Sequence, residues 1–479
     1  MAYINCPCPE YSQPVEIGHF SVDASRQVLP QNVSQRRRLC LPSTGSNFHS
    51  TSQNLARPFD LSHGYRSWIQ RDDLNVKEYI DAMLYWIVER VRRLSQSDQK
   101  PGSLRASLDN ADFVCWRGYL SKIAATPYEN GEGWIICAIP YRDVIFICGF
   151  DTEERLQQRR TLMDASAKDR LMTYWGHKFE QFVTVDGSQQ PLGPTGQELP
   201  DISQPVDTNE QFCLMMRSKI SSYTTAGGSM NSKEIGVHRL VFGGETDCVH
   251  QVHSPVSSRI DARLGYGATT AAACPAGLSC HVELKTSRKW DNFRQRDNFY
   301  RYKALKWWLQ SYFIGIERII CGFRNDDGIV SRLESFRTSE LPKCAANLDR
   351  SWQPSVCLSF LSRFLTQLKC QLMSAPHLTK TLNAASPGGN AGGNPSSKDN
   401  DPGVRLSGGH IFKLEGTYGT ATRDTSLIVY KAEWYPGQDE ISFRALTTDT
   451  ELKEFSFIPR WFTETIEQCF PTTTASVCS

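Results

Sequence analysis

The sequence predicts a large α/β protein on three observations. Its 479 residues are about three times the ~150-residue prior for one domain, enough to bury a substantial core without crosslinks. β-branched runs bounded by turn residues read as buried strands, and between them lie segments whose apolar residues recur three and four apart. Hydrophobic residues at 40% and charged residues at 22% exclude a wholly disordered chain. Lys+Arg 53 against Asp+Glu 51 leaves +2, so any polyanion-binding surface must be a local patch.

Taken in order, residues 1–60 are rich in Ser, Gln and Pro and read as extended chain packed on a domain, with Arg36-Arg37-Arg38 a short basic run. Val76, Ile80, Met83, Leu84, Ile87, Val88 and Val91 predict a helix. Trp134 to Gly149 reads as a hairpin of buried strands turning at Tyr141-Arg142-Asp143. Helices are predicted over Asp169 to Val183, Asn209 to Ser221 and Asn298 to Ile314, and strands over Val237 to Val249 and His281 to Thr286. Residues 250–279 and 383–409 read as flexible insertions within a single domain spanning 1–479. The scattered Cys read as reduced, buried thiols of an intracellular protein. The opening residues lack the pattern of a signal peptide, and no apolar stretch is long enough to span a bilayer, so no membrane association is expected.

The chemistry concentrates in carboxylates. After Gly243-Gly244, residues i and i+2 of an extended chain share a face, which puts Glu245 beside Asp247. Two such carboxylates repel unless one is protonated or a cation lies between them. In His281-Val-Glu-Leu-Lys-Thr286, Glu283 and Lys285 share one face, while Val282 and Leu284 turn to the core. An E-x-K strand beside an acidic strand is the arrangement of metal-dependent nucleases, with a carboxylate for the ion and an ammonium for phosphate oxygen or water. Spelling alone is weak support, because Glu451-Leu452-Lys453 repeats the letters in a charged setting. Glu180 borders the apolar stripe Leu171, Tyr174, Trp175 and Phe182, with Gly176 one turn earlier and His177 read as a packing or surface residue. Lys303, Lys306 and Gln310 fall on one helical stripe, preceded by Arg294, Arg296 and Arg301, the strongest local basic cluster. Cys274, Cys280 and His281 are close, yet no second ligand pair follows at zinc spacing, so no zinc is expected.

In order, Phe20-Ser-Val-Asp-Ala-Ser-Arg26, Trp116-Arg117-Gly118, Thr126 to Trp134, Gly176-His-Lys-Phe-Glu180, Gly244-Glu-Thr-Asp247, Glu283-Leu-Lys-Thr-Ser287 and Lys306-Trp-Trp-Leu-Gln310 resemble the DXO family of decapping exoribonucleases and RNA 5′-end pyrophosphohydrolases. The resemblance runs from about residue 13 to about 375 and resumes near Phe457-Ile-Pro-Arg-Trp461. It implies one α/β domain of twisted mixed sheets flanked by helices, with an active site related to D/E-x-K nucleases. It further implies two Mg²⁺ or Mn²⁺ ions on Glu180, Glu245, Asp247, Glu283 and the Leu284 carbonyl, with Lys285 and Gln310 at the scissile phosphate or the nucleophilic water. Arg26, Glu78, Trp116, Arg117, Gly118 and Cys213 match positions that line the substrate pocket. The implied partner is RNA with a modified 5′ end and the implied location the nucleus, with the cytoplasm open. Two other readings are a stabilising partner of a nuclear 5′–3′ exoribonuclease, as in one fungal branch, and a restriction-like DNA nuclease. Thr246 and His177 depart from the family pattern, and neither is expected to touch the proposed ligands.

Overall fold

A computed structural model of the chain describes residues 8–42, 52–72, 75–96, 100–163, 167–186, 199–224, 233–250, 280–349, 351–373 and 421–471. Apart from residue 250, both expected insertions lie outside them, as does Cys274.

The elements that position the site are strand β1 (Phe113–Trp116), helix α1 (Arg117–Ala125), helix α2 (Ala167–Phe182), and strands β2 (Gln211–Thr224), β3 (Lys233–Glu245), β4 (Cys248–Val249) and β5 (His281–Arg288). Helix α3 (Ala304–Ile314) and strand β6 (Arg318–Arg324) follow.

The first sheet runs Ser442–Ala445, Tyr430–Trp434, Trp134–Tyr141, Val144–Phe150, β1, β3, β2, Val15–Val22, Val28–Pro30, with Glu10–Tyr11 also on β2. The second runs Ser52–Asp60, Ile329–Arg337, β6, β5, β4, Arg37–Leu39, Thr184–Asp186. Both are mixed: β3 pairs β1 in parallel and β2 antiparallel, while β5 and β6 are parallel. Strands at 10–11, 15–22 and 28–30 thus join the first sheet and those at 37–39 and 52–60 the second, while the strands at 430–434 and 442–445 extend the first.

The first sheet is covered on both faces, which explains its near-continuous apolar strands. Leu214, Met216, Leu240 and Phe242 pack toward α1, α3 and the helix Pro354–Met373. Cys213, Met215 and Val241 pack on the opposite side with the helices Asp81–Ser95 and Arg460–Cys469. Tyr174, Trp175 and Phe179 of α2 cover Val282, Leu284 and Ile320 of the second sheet.

Three expectations are corrected. Asn209 to Ser221 is not a helix but most of β2, the central partner of β3. Its Leu and Met favour helices in isolation, but burial on both faces and two flanking strands override that preference. The helix read from Val76 begins at Asp81, because Tyr79 has a left-handed φ of 49°. The helix read over Asn298 to Ile314 contains a π-turn, Phe299–Lys303, before α3 proper. No helix among the described residues is long and apolar enough to cross a membrane. The described cysteines are free, and Cys115, Cys137, Cys148, Cys213, Cys248, Cys321 and Cys357 are buried.

Candidate active site

The site forms where the chain leaves one sheet for the other. Glu245 ends β3, Thr246 and Asp247 cross the gap, and β4 begins the second sheet at Cys248. The two acids do not share a strand, yet both line a cleft of about 220 Å³ together with Glu180 from the last turn of α2. The two glycines before Glu245 make room for side chains. A Cβ on Gly243 would meet the Trp116 ring at 2.7 Å, and one on Gly244 would meet Ile314 at 2.7 Å and Arg117 at 3.4 Å. Gly176 and Gly118 have nothing within 4 Å of such a Cβ, so neither is there for close packing.

On β5 the period-two expectation holds. Val282 and Leu284 enter the core, while Glu283 turns the other way at 0% exposure. Glu283 Oε1 accepts from Lys285 Nζ and Gln310 Nε2. Its Oε2 is buried without a hydrogen bond and lies 3.9 Å from Arg117 Nη1, which is itself buried without one. The Leu284 amide donates to Asp247 Oδ2 at 2.6 Å, joining crossing and strand.

The electrostatics couple these groups. Burial, then Glu283, pushes the Asp247 carboxyl well above the usual carboxylate range, against Lys285 and the Leu284 amide. Burial and Glu180 raise Glu245 against Arg71, His177 and Arg117. Burial would raise Glu180 too, but His177, Lys285 and Arg37 hold it below its ordinary value. Burial works against the Lys285 ammonium, yet Glu283, Asp247 and Glu180 outweigh it and raise its pKa. Lys285 is thus the internal countercharge of an acidic group.

The proposed substrate residues are only partly gathered. Cys213 pairs across from Glu245 in the β2–β3 register, and Gln211 Nε2 donates to Glu245 Oε2 at 3.1 Å. Arg26, held by Glu78 through two hydrogen bonds, donates to Gln211 Oε1 at 2.9 Å and so joins the acids at one remove. Trp116 Nε1 donates to the Tyr79 carbonyl at 2.9 Å while its ring lies over Gly243. Of the basic stripe only Gln310 reaches the acids: Lys306 pairs with Glu129 at 2.8 Å, and Lys303 Nζ lies 3.4 Å from Ser287 Oγ. The decoy Glu451-Leu452-Lys453 sits on the helix Asp449–Phe455, with Glu451 tied to Arg444 at 2.7 Å.

His177 is a correction. Its Nδ1 stands 3.7 Å from Glu180 Oε2, and it lines the cleft. Arg37, Trp68, Arg71 and Gln211 also line the cleft and were not legible as site residues, since they lie on three separate segments without a motif. For Arg37 the basic run at 36–38 was the available signal.

The donor set suits a hard divalent cation. It consists of carboxylate oxygens that repel one another, one of them with an orphaned buried oxygen. Among the described residues no three His, Cys, Asp or Glu side chains form a ready-made metal cage. Lys285 offsets part of the negative charge of Glu283, Asp247 and Glu180, the role a cation would share.

A mixed-sheet α/β frame with acids from a helix, a sheet crossing and an E-x-K strand is that of the D/E-x-K nucleases. Residues 12–386 match the family described as RAI1 like PD-(D/E)XK nuclease, and the chain belongs to that family. It is 33% identical over 360 residues to the Decapping and exoribonuclease protein of Rattus norvegicus, covering 75% of each chain. It is 31% identical over 317 residues to Decapping nuclease RAI1 of Neurospora crassa, covering 65% of this chain and 64% of that one. The Candida albicans Rai1 structure in complex with pU5-Mn²⁺ shares the fold at TM-score 0.63 and 16% identity, covering 97% of each chain. Scheffersomyces stipitis Rai1 in complex with (3′-NADP)⁺ and calcium does so at TM-score 0.62 and 17% identity, over 95% of this chain and 96% of that one.

Proposed function

We propose that the chain is a divalent-metal-dependent hydrolase of RNA 5′ ends that lack a proper methylated cap. It opens phosphoanhydride or phosphodiester bonds at triphosphate ends and at incomplete or non-canonical caps such as NAD. The carrying observation is Glu283, fully buried, with Lys285 and Gln310 on one oxygen and the other oxygen without a hydrogen bond. The names of the rat and Neurospora relatives, and the manganese and calcium of the fungal neighbours, support the reading.

Glu180, Glu245, Asp247, Glu283 and the Leu284 carbonyl would hold two Mg²⁺ or Mn²⁺ ions, which supply an activated water and charge stabilisation at the leaving oxygen. The chain's own groups then have defined tasks. Burial and Glu283 disfavour the charged form of Asp247, a cost that a bound cation would offset. Lys285 and Gln310, both on Glu283 Oε1, are positioned to transfer their hydrogen bonds to a phosphate oxygen. Arg117, fixed in the first turn of α1 against Gly244, adds permanent positive charge facing Glu283. Burial of the group lowers the local dielectric, which strengthens each of these contacts.

The deciding experiment is pyrophosphate release from 5′-triphosphate RNA with Mg²⁺ or Mn²⁺, comparing the wild type with the double variant Glu245→Ala/Asp247→Ala. Turnover should vanish in the variant while the far-ultraviolet spectrum is kept, and unchanged turnover would sink the assignment. A panel of triphosphate, unmethylated-cap, methylated-cap and NAD-capped RNAs then ranks the ends. DNA of equal length tests the restriction-like alternative. No observation favours the reading as a stabilising partner of an exoribonuclease.

A further inference from the structure

Residues 288–306 carry seven Lys or Arg and two Asp in a chain whose net charge is only +2. They form the end of β5, the helix Phe293–Asn298, the π-turn and the start of α3. Inside, Trp290, Phe299 and Phe323 make an aromatic underlayer, with Trp290 at 4.9 Å from each of the other two rings. Outside, Phe293 is 76% and Tyr302 57% exposed, among the most exposed large apolar side chains of the described residues. Each lies beneath a guanidinium: Arg296 at 5.1 Å over Phe293, and Arg301 at 5.9 Å over Tyr302. Lys289 and Arg294 are exposed alongside them.

This patch is joined to the acidic group by one strand face. Glu283, Lys285 and Ser287 alternate along β5, and Lys303 Nζ lies 3.4 Å from Ser287 Oγ. The strand rise puts Ser287 about 7 Å beyond Lys285. Lys285 at the acidic group and Lys303 at the edge of the patch therefore stand on one side of β5, and Tyr302 directly precedes Lys303 in the chain.

The bland alternative is a solvated helix face, on which charges are ordinary. It does not explain two large rings held outward, each next to a cation. Exposed aromatics interleaved with Arg and Lys have a definite use: bases stack on the rings while the cations follow the phosphates. We infer that residues 288–303 form a platform for single-stranded RNA, taking the body of the substrate a few nucleotides beyond its 5′ end through Phe293 and Tyr302. The inference deepens the RNA reading of the cleft and rests on it.

The test reads binding rather than turnover, so a failure of the hydrolase reading is seen separately. Full-length protein without metal is titrated into fluorescent 5′-hydroxyl oligouridylate of about 20 nucleotides, followed by anisotropy, with a trinucleotide as the short comparison. Phe293→Ala/Tyr302→Ala should weaken the long oligonucleotide about tenfold or more. The trinucleotide, which has at most one or two bases to offer the rings once its 5′ end is in the cleft, should lose less in the variant than the long oligonucleotide does. Arg294→Glu/Arg296→Glu should flatten the logarithmic salt slope by about 0.7 for each phosphate left unneutralised. Both sites are exposed, and matching melting curves would confirm that the variants are folded. Unchanged affinity for the long oligonucleotide in both variants would overturn the platform and leave the patch to a protein partner. An equal loss on the trinucleotide would overturn it as well, by placing the effect in the cleft.

Discussion

Lys285 is the residue on which the acidic group balances. Its ammonium lies against Glu283, whose side chain is 0% exposed, and it also offsets Asp247 and Glu180. Removing one partner of a buried pair leaves an uncompensated charge, at a cost of about 3–5 kcal/mol. Lys285→Met should therefore lower unfolding free energy in urea melts by an amount of that order and abolish turnover. Added Mn²⁺ should recover part of the lost stability, because the cation takes over the electrostatic role of the ammonium. A second variant isolates shape from charge. Gly243→Ala puts a methyl group 2.7 Å from the Trp116 ring, an overpacking that costs about 1–3 kcal/mol and moves the indole from its place beside the site. Turnover should fall with every proposed metal ligand intact, which kinetics at saturating Mn²⁺ would show.

Among the elements, β3 and the helix Pro354–Met373 meet at a buried histidine. His238 Nε2 is 2.8 Å from Thr366 Oγ1, and the ring is 3% exposed. Burial, helped by Lys369 and opposed by Asp112, lowers its pKa to about 4. The unfolded chain takes up this proton near pH 6.5, so between there and about pH 4 the unfolded state binds more protons. Stability from this group is therefore complete above pH 6.5 and is lost as pH falls to about 4, by an amount on the order of 3 kcal/mol. Asp81, raised to about 6 mainly by burial, works in the opposite sense over an overlapping window. The effect is accordingly read as the wild type minus His238→Gln in urea melts at several pH values, where the difference should shrink on acidification. A pH-independent difference would remove the histidine from the account.

Across the molecule, one buried ion pair ties the first long helix to the end of the chain. Arg423 grips Asp81 through both guanidinium nitrogens, with Nη2 2.9 Å from Oδ2, and Nη1 also reaches the Phe457 carbonyl at 3.1 Å. Asp81 opens the helix whose Met83, Leu84 and Ile87 pack under the first sheet, beside Phe462 and Ile466. Arg423→Ala should cost about 3–5 kcal/mol, while the apolar double variant Asp81→Leu/Arg423→Met should recover much of that loss. A double variant no more stable than Arg423→Ala would show that the pair does more than satisfy its own buried charge.

Much of this protein is written in local spacing. The hairpin at Trp134–Phe150, the helix carrying Glu180 and the opposed faces of β5 all follow from periods of two and 3.6 residues, which are properties of the backbone alone. For the acids at 180, 245, 247 and 283 local spacing is only a weak signal, and it is the family likeness that groups them as one candidate site. Long-range pairing settled the rest. The β2 segment is a strand because two neighbouring strands and two helical layers bury it, which no local preference encodes. Glu245 and Asp247 meet Glu180 because the chain changes sheets between them, and His177, Arg37 and Arg71 join the cleft only once distant segments are folded together. Periodicity specifies where a side chain points from its own backbone, whereas the groups it will face depend on packing between segments hundreds of residues apart.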